Sequence, residues 1–244
     1  MTAAVDSENA KDAIDSNVSE GDASASDVDA HDDHPEPSLG VSNMKLAMWL
    51  FLGSECLLFG ALISTYLLSK ARFIAKVTAE DPVVLANLPS NLATEFKEAG
   101  SVEPIFDIPF TSASSFILLM SSVSMVFAHK AISEGDSKLT RWWLAVTASL
   151  GSTFIAGQVY EFTTFYNEGL TFDGTLFGSA FYTLTGFHGV HVTGGIIMLI
   201  SLLVLAFRGK LNKDRAETVE LVGLYWHFVD VVWVLIFTIV YLIP

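Results

Sequence analysis

The sequence predicts an all-α integral membrane protein, a bundle of five transmembrane helices that follows a disordered acidic N-terminal tail. Hydrophobic residues make up 51% of the 244 residues and charged residues 16%. Five long apolar runs each reach the ~20 residues with which a helix crosses ~30 Å of hydrocarbon. They lie at about residues 44–68, 108–131, 142–165, 176–207 and 221–243. The runs lack the polar stripe of a soluble helix and the alternation of a barrel strand.

Residues 1–40 form the predicted tail, and residues 41–244 form the membrane domain. The tail holds 11 of the 27 acidic residues, one basic residue (Lys11) and no aromatic residue. Such a segment buries too little apolar area to offset its ordering entropy, so we expect it to be disordered. It lacks the basic start and apolar stretch of a secretory signal, and the arginines of a mitochondrial transit peptide. His31 and His34 are interpreted as solvated rather than as metal ligands.

The composition also excludes several functions. The net charge of −14 argues against nucleic-acid binding, which requires clustered Lys and Arg. A single cysteine, Cys56, excludes a disulfide framework, a thiolate zinc site and an iron–sulfur cluster. The sequence contains no phosphate-binding loop and no nucleophile with a base at a suitable spacing, so no catalytic residue is predicted.

The basic residues of the short loops predict the orientation. Seven lie in the connections between helices 2 and 3 and between helices 4 and 5, and none lies in 166–175. The positive-inside rule therefore predicts a cytoplasmic N-terminus and an external C-terminus. The long loop 69–107 is then external, although Lys70, Arg72 and Lys76 at its start oppose this orientation.

Ionisable side chains within the predicted spans are costly in a membrane and require a reason. They are Glu55, Glu161, His188, His191, His227 and Asp230. We compared their depths at ~1.5 Å per residue from the basic residue at each inner helix end. The comparison predicts two pairs at common depth, Glu55 with His227 and Asp230 with His191.

His188 and His191 are three residues apart and share one helix face, as in some metal and haem sites. No second histidine pair stands on another helix and no Glu-x-x-His motif appears, so the sequence predicts no metal site. The alternative interpretation is hydrogen bonding between helices. We favour it for His188 and His191.

Five segments together resemble subunit III of haem–copper cytochrome c oxidases. They are WLFLGSECLLFG (49–60), SSFILLMSS (114–122), RWWLAVTASLGSTFIAGQVYEF (141–162), LFGSAFYTLTGFHGVHVTGG (176–195) and YWHFVDVVWVLIFTIVYL (225–242). The last two are the most specific. The long form of that family has seven helices, and the resemblance here is to the short five-helix bacterial form.

The resemblance implies a multi-pass subunit of the bacterial inner membrane, without haem or copper of its own. Those cofactors would lie in subunits I and II, where cytochrome c delivers electrons and oxygen is reduced to water. Subunit III would pack on subunit I, bind structural phospholipid and support proton uptake.

By position, Glu55 is the membrane glutamate of that family, with His227 as its expected partner within the chain. Lys45 and Arg208 match basic positions near lipid phosphates. Glu161, His188, His191 and Asp230 belong to buried polar motifs. We favour hydrogen bonding between helices, without direct function, for His188, His191 and Asp230, and a functional role for Glu55.

Related alternatives are subunit III of a quinol oxidase and a homologue associated with nitric oxide reductases. Two alternatives of other classes are a haem- or quinol-binding membrane anchor and a transporter. The electron donor, the other subunits, and the roles of the tail and of the loop 69–107 stay open at this point.

Overall fold

The computed structural model describes residues 41–79, 108–167, 170–173 and 176–242, and these residues form five long helices. The helices are α1 (Asn43–Ala79), α2 (Ile108–Glu134), α3 (Ser137–Asn167), α4 (Leu176–Phe207) and α5 (Ala216–Phe237). A 3-10 turn, Lys213–Arg215, precedes α5, and a π-helical turn, Thr238–Leu242, continues it. The described residues contain no strand, which confirms the all-α prediction. The predicted tail, 1–40, lies outside them.

Four of these helices are long and apolar enough to cross a membrane, namely α1, α2, α4 and α5 with its extension. The exception is α3, which has 31 residues and a length of about 46 Å. Its composition is less apolar because it carries Lys138 and Arg141 near its start and Gln158 and Glu161 in its second half. It packs along α2 and α4. Composition therefore confirms four of the five predicted spans.

The first helix is longer than the sequence predicted. It continues from the expected end at Leu68 to Ala79, so the prediction of a loop from residue 69 is wrong. Residues 69–79 contain no glycine or proline, and Ser69 and Lys70 are buried. The run of apolar residues marks the hydrocarbon depth, whereas the helix continues beyond it. The remainder of the predicted loop, 80–107, lies outside the described residues.

Three other helices also extend beyond their apolar runs. They are α2, which ends at Glu134, α3, which begins at Ser137 and ends at Asn167, and α5, which begins at Ala216. The bounds of α4 agree with the prediction. Polar and charged residues at a membrane helix end remain helical because the headgroup region satisfies their side chains. Hydropathy alone therefore underestimates helix length.

A tight turn joins α2 to α3. Gly135 has a φ of +85°, a conformation that favours glycine over other residues. The next residue, Asp136, then caps α3. Its Oδ1 accepts hydrogen bonds from the backbone N–H groups of Lys138 at 2.9 Å and Leu139 at 3.0 Å. This short connection holds α2 and α3 antiparallel as neighbours.

The core is organised around Trp226 of α5. A Cβ atom at Gly151 of α3 would lie 2.5 Å from this indole, and one at Gly195 of α4 would lie 2.8 Å from it. The indole Nε1–H donates to Ser121 Oγ of α2 at 2.9 Å. One side chain therefore joins four helices, and only glycine at these two positions permits the approach.

The first helix lies at the periphery of this bundle. It packs on α4 and α5. In its most apolar stretch 6% of the residues are buried, compared with 50% for α5. The helix that carries Glu55 is therefore the one with the most surface available to lipid or to other protein.

Candidate functional site

The main polar contact between α1 and α4 is formed by Glu55 and His191. Glu55 Oε2 lies 3.1 Å from His191 Nε2, and the two side chains are 14% and 15% exposed. The opposite imidazole nitrogen, His191 Nδ1, lies 2.7 Å from the carbonyl oxygen of Phe187. Both groups lie within the apolar spans of their helices. The carboxyl and the imidazole thus satisfy each other at membrane depth.

This geometry determines where one proton of the pair lies. A carbonyl oxygen only accepts hydrogen bonds, so His191 Nδ1 is the donor to Phe187 and carries a proton. The contact between Nε2 and Glu55 then holds a second proton, either on the carboxyl or on the imidazole. Both arrangements have zero net charge. The pair therefore places two ionisable groups at membrane depth without a net charge.

Aromatic residues enclose the pair. The ring of Phe59 stands edge-on to His191 at a centroid distance of 5.0 Å. The Tyr225 hydroxyl donates to the backbone carbonyl of His191 at 3.0 Å, and its ring stacks on Phe51. Apolar walls weaken screening by water and strengthen the interaction between the carboxyl and the imidazole.

The predicted pairing of these groups is wrong. Glu55 contacts His191, rather than His227 as predicted. The Nδ1 atom of His227 lies 2.5 Å from Ser122 Oγ on α2. Asp230 is likewise not the partner of His191; its carboxyl lies beside the Ser122 hydroxyl. His227 and Asp230 therefore form a second polar group, centred on Ser122.

Two motif residues do not form the predicted hydrogen bonds between helices. Both ring nitrogens of His188 and both carboxyl oxygens of Asp230 are buried, and within the described residues they have no hydrogen-bond partner of ordinary geometry. His188 instead stacks on Trp233 at a centroid distance of 4.9 Å, with Phe154 edge-on to it. His188 therefore packs as an aromatic ring.

The fourth of the motif residues, Glu161, lies on α3. It accepts a hydrogen bond from Thr111 Oγ1 of α2 and is buried. One turn earlier, Gln158 Nε2 donates to the backbone carbonyl of Thr185 on α4 at 3.0 Å. These two side chains satisfy polar groups across α2, α3 and α4.

The two basic candidates differ in their surroundings. Lys45 Nζ lies 2.9 Å from Glu220 Oε2 on α5, so this ammonium has a protein partner. Arg208 is exposed at the end of α4. The preceding residue, Phe207, lies beneath the guanidinium of Arg141 at 5.6 Å. Two arginines thus occupy neighbouring positions where α3 begins and α4 ends.

No group of three or more His, Cys, Asp or Glu side chains suited to a metal ion occurs in the part of the chain that the structure describes. His188 and His191 diverge in their contacts, since one stacks on Trp233 and the other binds Glu55. The i, i+3 spacing therefore does not bring these rings to one ligand.

Comparison with known proteins identifies the family. A family model described as cytochrome c oxidase subunit III matches residues 31–243. The chain belongs to the cytochrome c oxidase subunit III family. This result confirms the resemblance drawn from the sequence motifs.

The relatives of this chain carry two names. The chain is 36% identical over 200 residues to cytochrome c oxidase subunit 3 of Bacillus sp. (strain PS3), covering 82% of this chain and 86% of the relative. It is 36% identical over 202 residues to a probable quinol oxidase subunit 3 of Staphylococcus saprophyticus, covering 82% and 88%. Cytochrome c oxidase subunit 3 of Bacillus subtilis is 35% identical, with coverage of 82% and 86%.

The sequence did not identify three residues that contribute to these polar contacts. They are Ser122, Glu217 and Glu220. The two glutamates are three residues apart at the start of α5, and that spacing places both on one helix face. This acidic pair could have been recognised as a partner for Lys45. Ser122 gave no such signal, because α2 contains many serines.

Proposed function

We propose that this chain is the non-redox third subunit of a respiratory terminal oxidase of the bacterial inner membrane. It packs on subunit I, while subunits I and II hold haem and copper and reduce oxygen with electrons from cytochrome c. The family match supports this proposal. A relative named as a probable quinol oxidase subunit at equal identity favours quinol as the second candidate donor. Oxidation of reduced cytochrome c by the purified complex separates the two donors.

Within that complex, we propose that the chain supports proton uptake through Glu55 and His191. The single observation that carries the proposal is their contact at 3.1 Å. His191 Nδ1 carries a proton of its own, which it donates to the carbonyl oxygen of Phe187. A proton held between a carboxyl and an imidazole at membrane depth can be donated to, or replaced from, water next to subunit I. His227, the expected partner, is not part of this pair.

The experiment compares Glu55→Gln with wild type in intact oxidase whose haem spectra are normal. The amide of this variant would keep the shape of the side chain and a hydrogen bond to His191 Nε2, but it could not exchange a proton. We expect normal assembly, but the rate of oxygen consumption should fall faster than in wild type over many turnovers. The loss should be largest near pH 9, where protons are scarce, and smallest near pH 6.

Glu161→Gln is the matched control, because Glu161 is also a buried carboxyl but bonds to Thr111 of α2. Its pH profile should overlay wild type. Overlay of the Glu55→Gln profile with wild type, without faster inactivation, would assign Glu55 a structural role only.

We further propose that Arg208 binds a phospholipid phosphate. Its guanidinium offers forked donors at a helix end, and Arg141 lies nearby above Phe207. Lys45 was predicted to share this role, but its salt bridge to Glu220 makes it the weaker candidate. The Lys and Arg distribution of the loops supports a cytoplasmic location for this end of the bundle.

A further inference from the structure

Asp230 of α5 is a buried carboxyl that the proton pair of Glu55 and His191 does not explain. It is 3% exposed, and neither carboxyl oxygen makes a hydrogen bond of ordinary geometry within the described residues. Burying a fixed negative charge without a partner is costly. A carboxyl in this position is therefore suited to bind and release a proton.

A crevice of about 120 Å³ lies between α2 and α5, on the side of the bundle where the turn after α2 and the 3-10 turn before α5 lie. Its polar lining consists of His129, Glu220 and His227. Gly223 contributes no side chain to its wall, and a Cβ there would lie 3.3 Å from Met125 Cε. The volume suffices for a few water molecules, at ~30 Å³ each.

The inner end of this crevice connects to Asp230 through two side chains. His227 lines the crevice, and its Nδ1 lies 2.5 Å from Ser122 Oγ. The carboxyl of Asp230 lies beside the same hydroxyl. His227 and Asp230 are three residues apart on α5 and therefore share a helix face. Imidazole, hydroxyl and carboxyl can each donate and accept a proton.

We propose that Asp230 is a proton-binding site that exchanges with water through the crevice, by way of His227 and Ser122. In the loading step, neutral His227 accepts a proton at Nε2 from hydronium in the crevice water and gives its Nδ1 proton to Ser122 Oγ. The serine releases its own hydroxyl proton to the Asp230 carboxylate, which becomes a carboxylic acid. His227 is left neutral with its proton on Nε2, so that one proton is taken up from the crevice water in total.

Other ionisable groups surround this route on the helices packed against α5. They are Lys45 and Glu55 on α1, His129 on α2, and His188 and His191 on α4. Lys45 is bound to Glu220, Glu55 to His191, and His188 stacks on Trp233. His129 is thus, besides Glu220, the other ionisable group that lines the crevice with His227.

The test is infrared spectroscopy of the intact oxidase during exchange from H2O to D2O. The carboxylic C=O stretching band of Asp230 is assigned as the band lost in Asp230→Asn. If that variant does not assemble, the band shifted in Asp230→Glu gives the assignment. We expect exchange of this band to slow by about tenfold or more in His227→Phe and Ser122→Ala.

Two further variants serve as controls. Ser122→Thr keeps the hydroxyl and should exchange at nearly the wild-type rate, and Glu55→Gln should leave exchange of this band unchanged. A band that exchanges at the wild-type rate in both His227→Phe and Ser122→Ala would overturn the route. Absence of any carboxylic band dependent on Asp230 at all pH values would overturn the site itself.

Discussion

The Lys45 ammonium lies 2.9 Å from the Glu220 carboxylate, and this ion pair joins the start of α1 to the first turns of α5. Beside it, the Ser42 hydroxyl donates to Glu217. Because α1 buries little of its apolar surface, these polar contacts anchor the end of a loosely packed helix.

Replacing Lys45 by Met should weaken the attachment of α1 only slightly. The side chains of Lys45 and Glu220 are 29% and 36% exposed, and ion pairs at a surface contribute little to stability because water screens them. We expect a small decrease in the temperature at which this subunit is lost from the oxidase, and no decrease at high salt. The charge-reversed pair Lys45→Glu with Glu220→Lys should restore the temperature at which the subunit is lost to its wild-type value. A large decrease that the reversed pair does not repair would contradict an ionic origin.

Replacing Arg208 by Leu should remove bound phospholipid. The expected result is fewer lipid molecules per complex by mass spectrometry, with unchanged haem content, because the forked donors of the guanidinium are lost. Lys45→Met is the matched control and should leave the lipid count nearly unchanged, since Lys45 is engaged by Glu220. Equal lipid counts in wild type and Arg208→Leu would reduce Arg208 to an ordinary interfacial residue.

Glu55 and His191 should behave as one unit. If a single shared proton is their contribution, Glu55→Gln and His191→Gln should each reduce sustained turnover at high pH. The double variant should then lose no more than the more affected single variant. Multiplicative losses in the double variant would indicate two independent roles. Oxygen consumption over many turnovers is the measurement, made on complexes with normal haem spectra.

Replacing Gly195 by Ala should destabilise the bundle. The added Cβ would lie 2.8 Å from the rigid indole of Trp226, and such overpacking costs ~1–3 kcal/mol. Gly186→Ala on the same helix is the control, because no atom lies within 4 Å of a Cβ there. Thermal retention of the subunit in the complex should decrease for the first variant alone. Equal behaviour of the two would show that α5 shifts to accommodate the methyl group.

The error in pairing Glu55 with His227 has a geometric cause. The prediction assumed that the basic residue at each inner helix end marks a common height. The contact between Lys45 and Glu220 shows that Lys45 lies level with a residue five positions beyond Arg215 along α5. That displaces α1 by ~7 Å relative to the assumed level. Glu55 is ten residues beyond Lys45 on α1, and Asp230 is ten residues beyond Glu220 on α5. Glu55 therefore lies at the level of Asp230, about one turn beyond His227.

The structure of His188 could not be predicted from its spacing. Sequence places it three residues before His191 on one helix, and that arrangement suggests a shared role. In the folded chain it stacks on Trp233, while His191 turns towards α1. The rotation of α4 between its neighbours decides this, and it depends on the approach of α4 to Trp226 at Gly195.

The sequence by itself determined the helical class, the five helices, the family and the set of ionisable residues in the apolar spans. These follow from hydropathy and from local motifs, because a membrane requires each span to satisfy its own backbone hydrogen bonds. The tertiary structure decided which of those residues meet. Axial offset and rotation of packed helices arise from contacts between distant residues, such as Lys45 with Glu220 and Gly195 with Trp226. For this reason only the folded bundle joins Glu55 to His191 and places Asp230 beside Ser122.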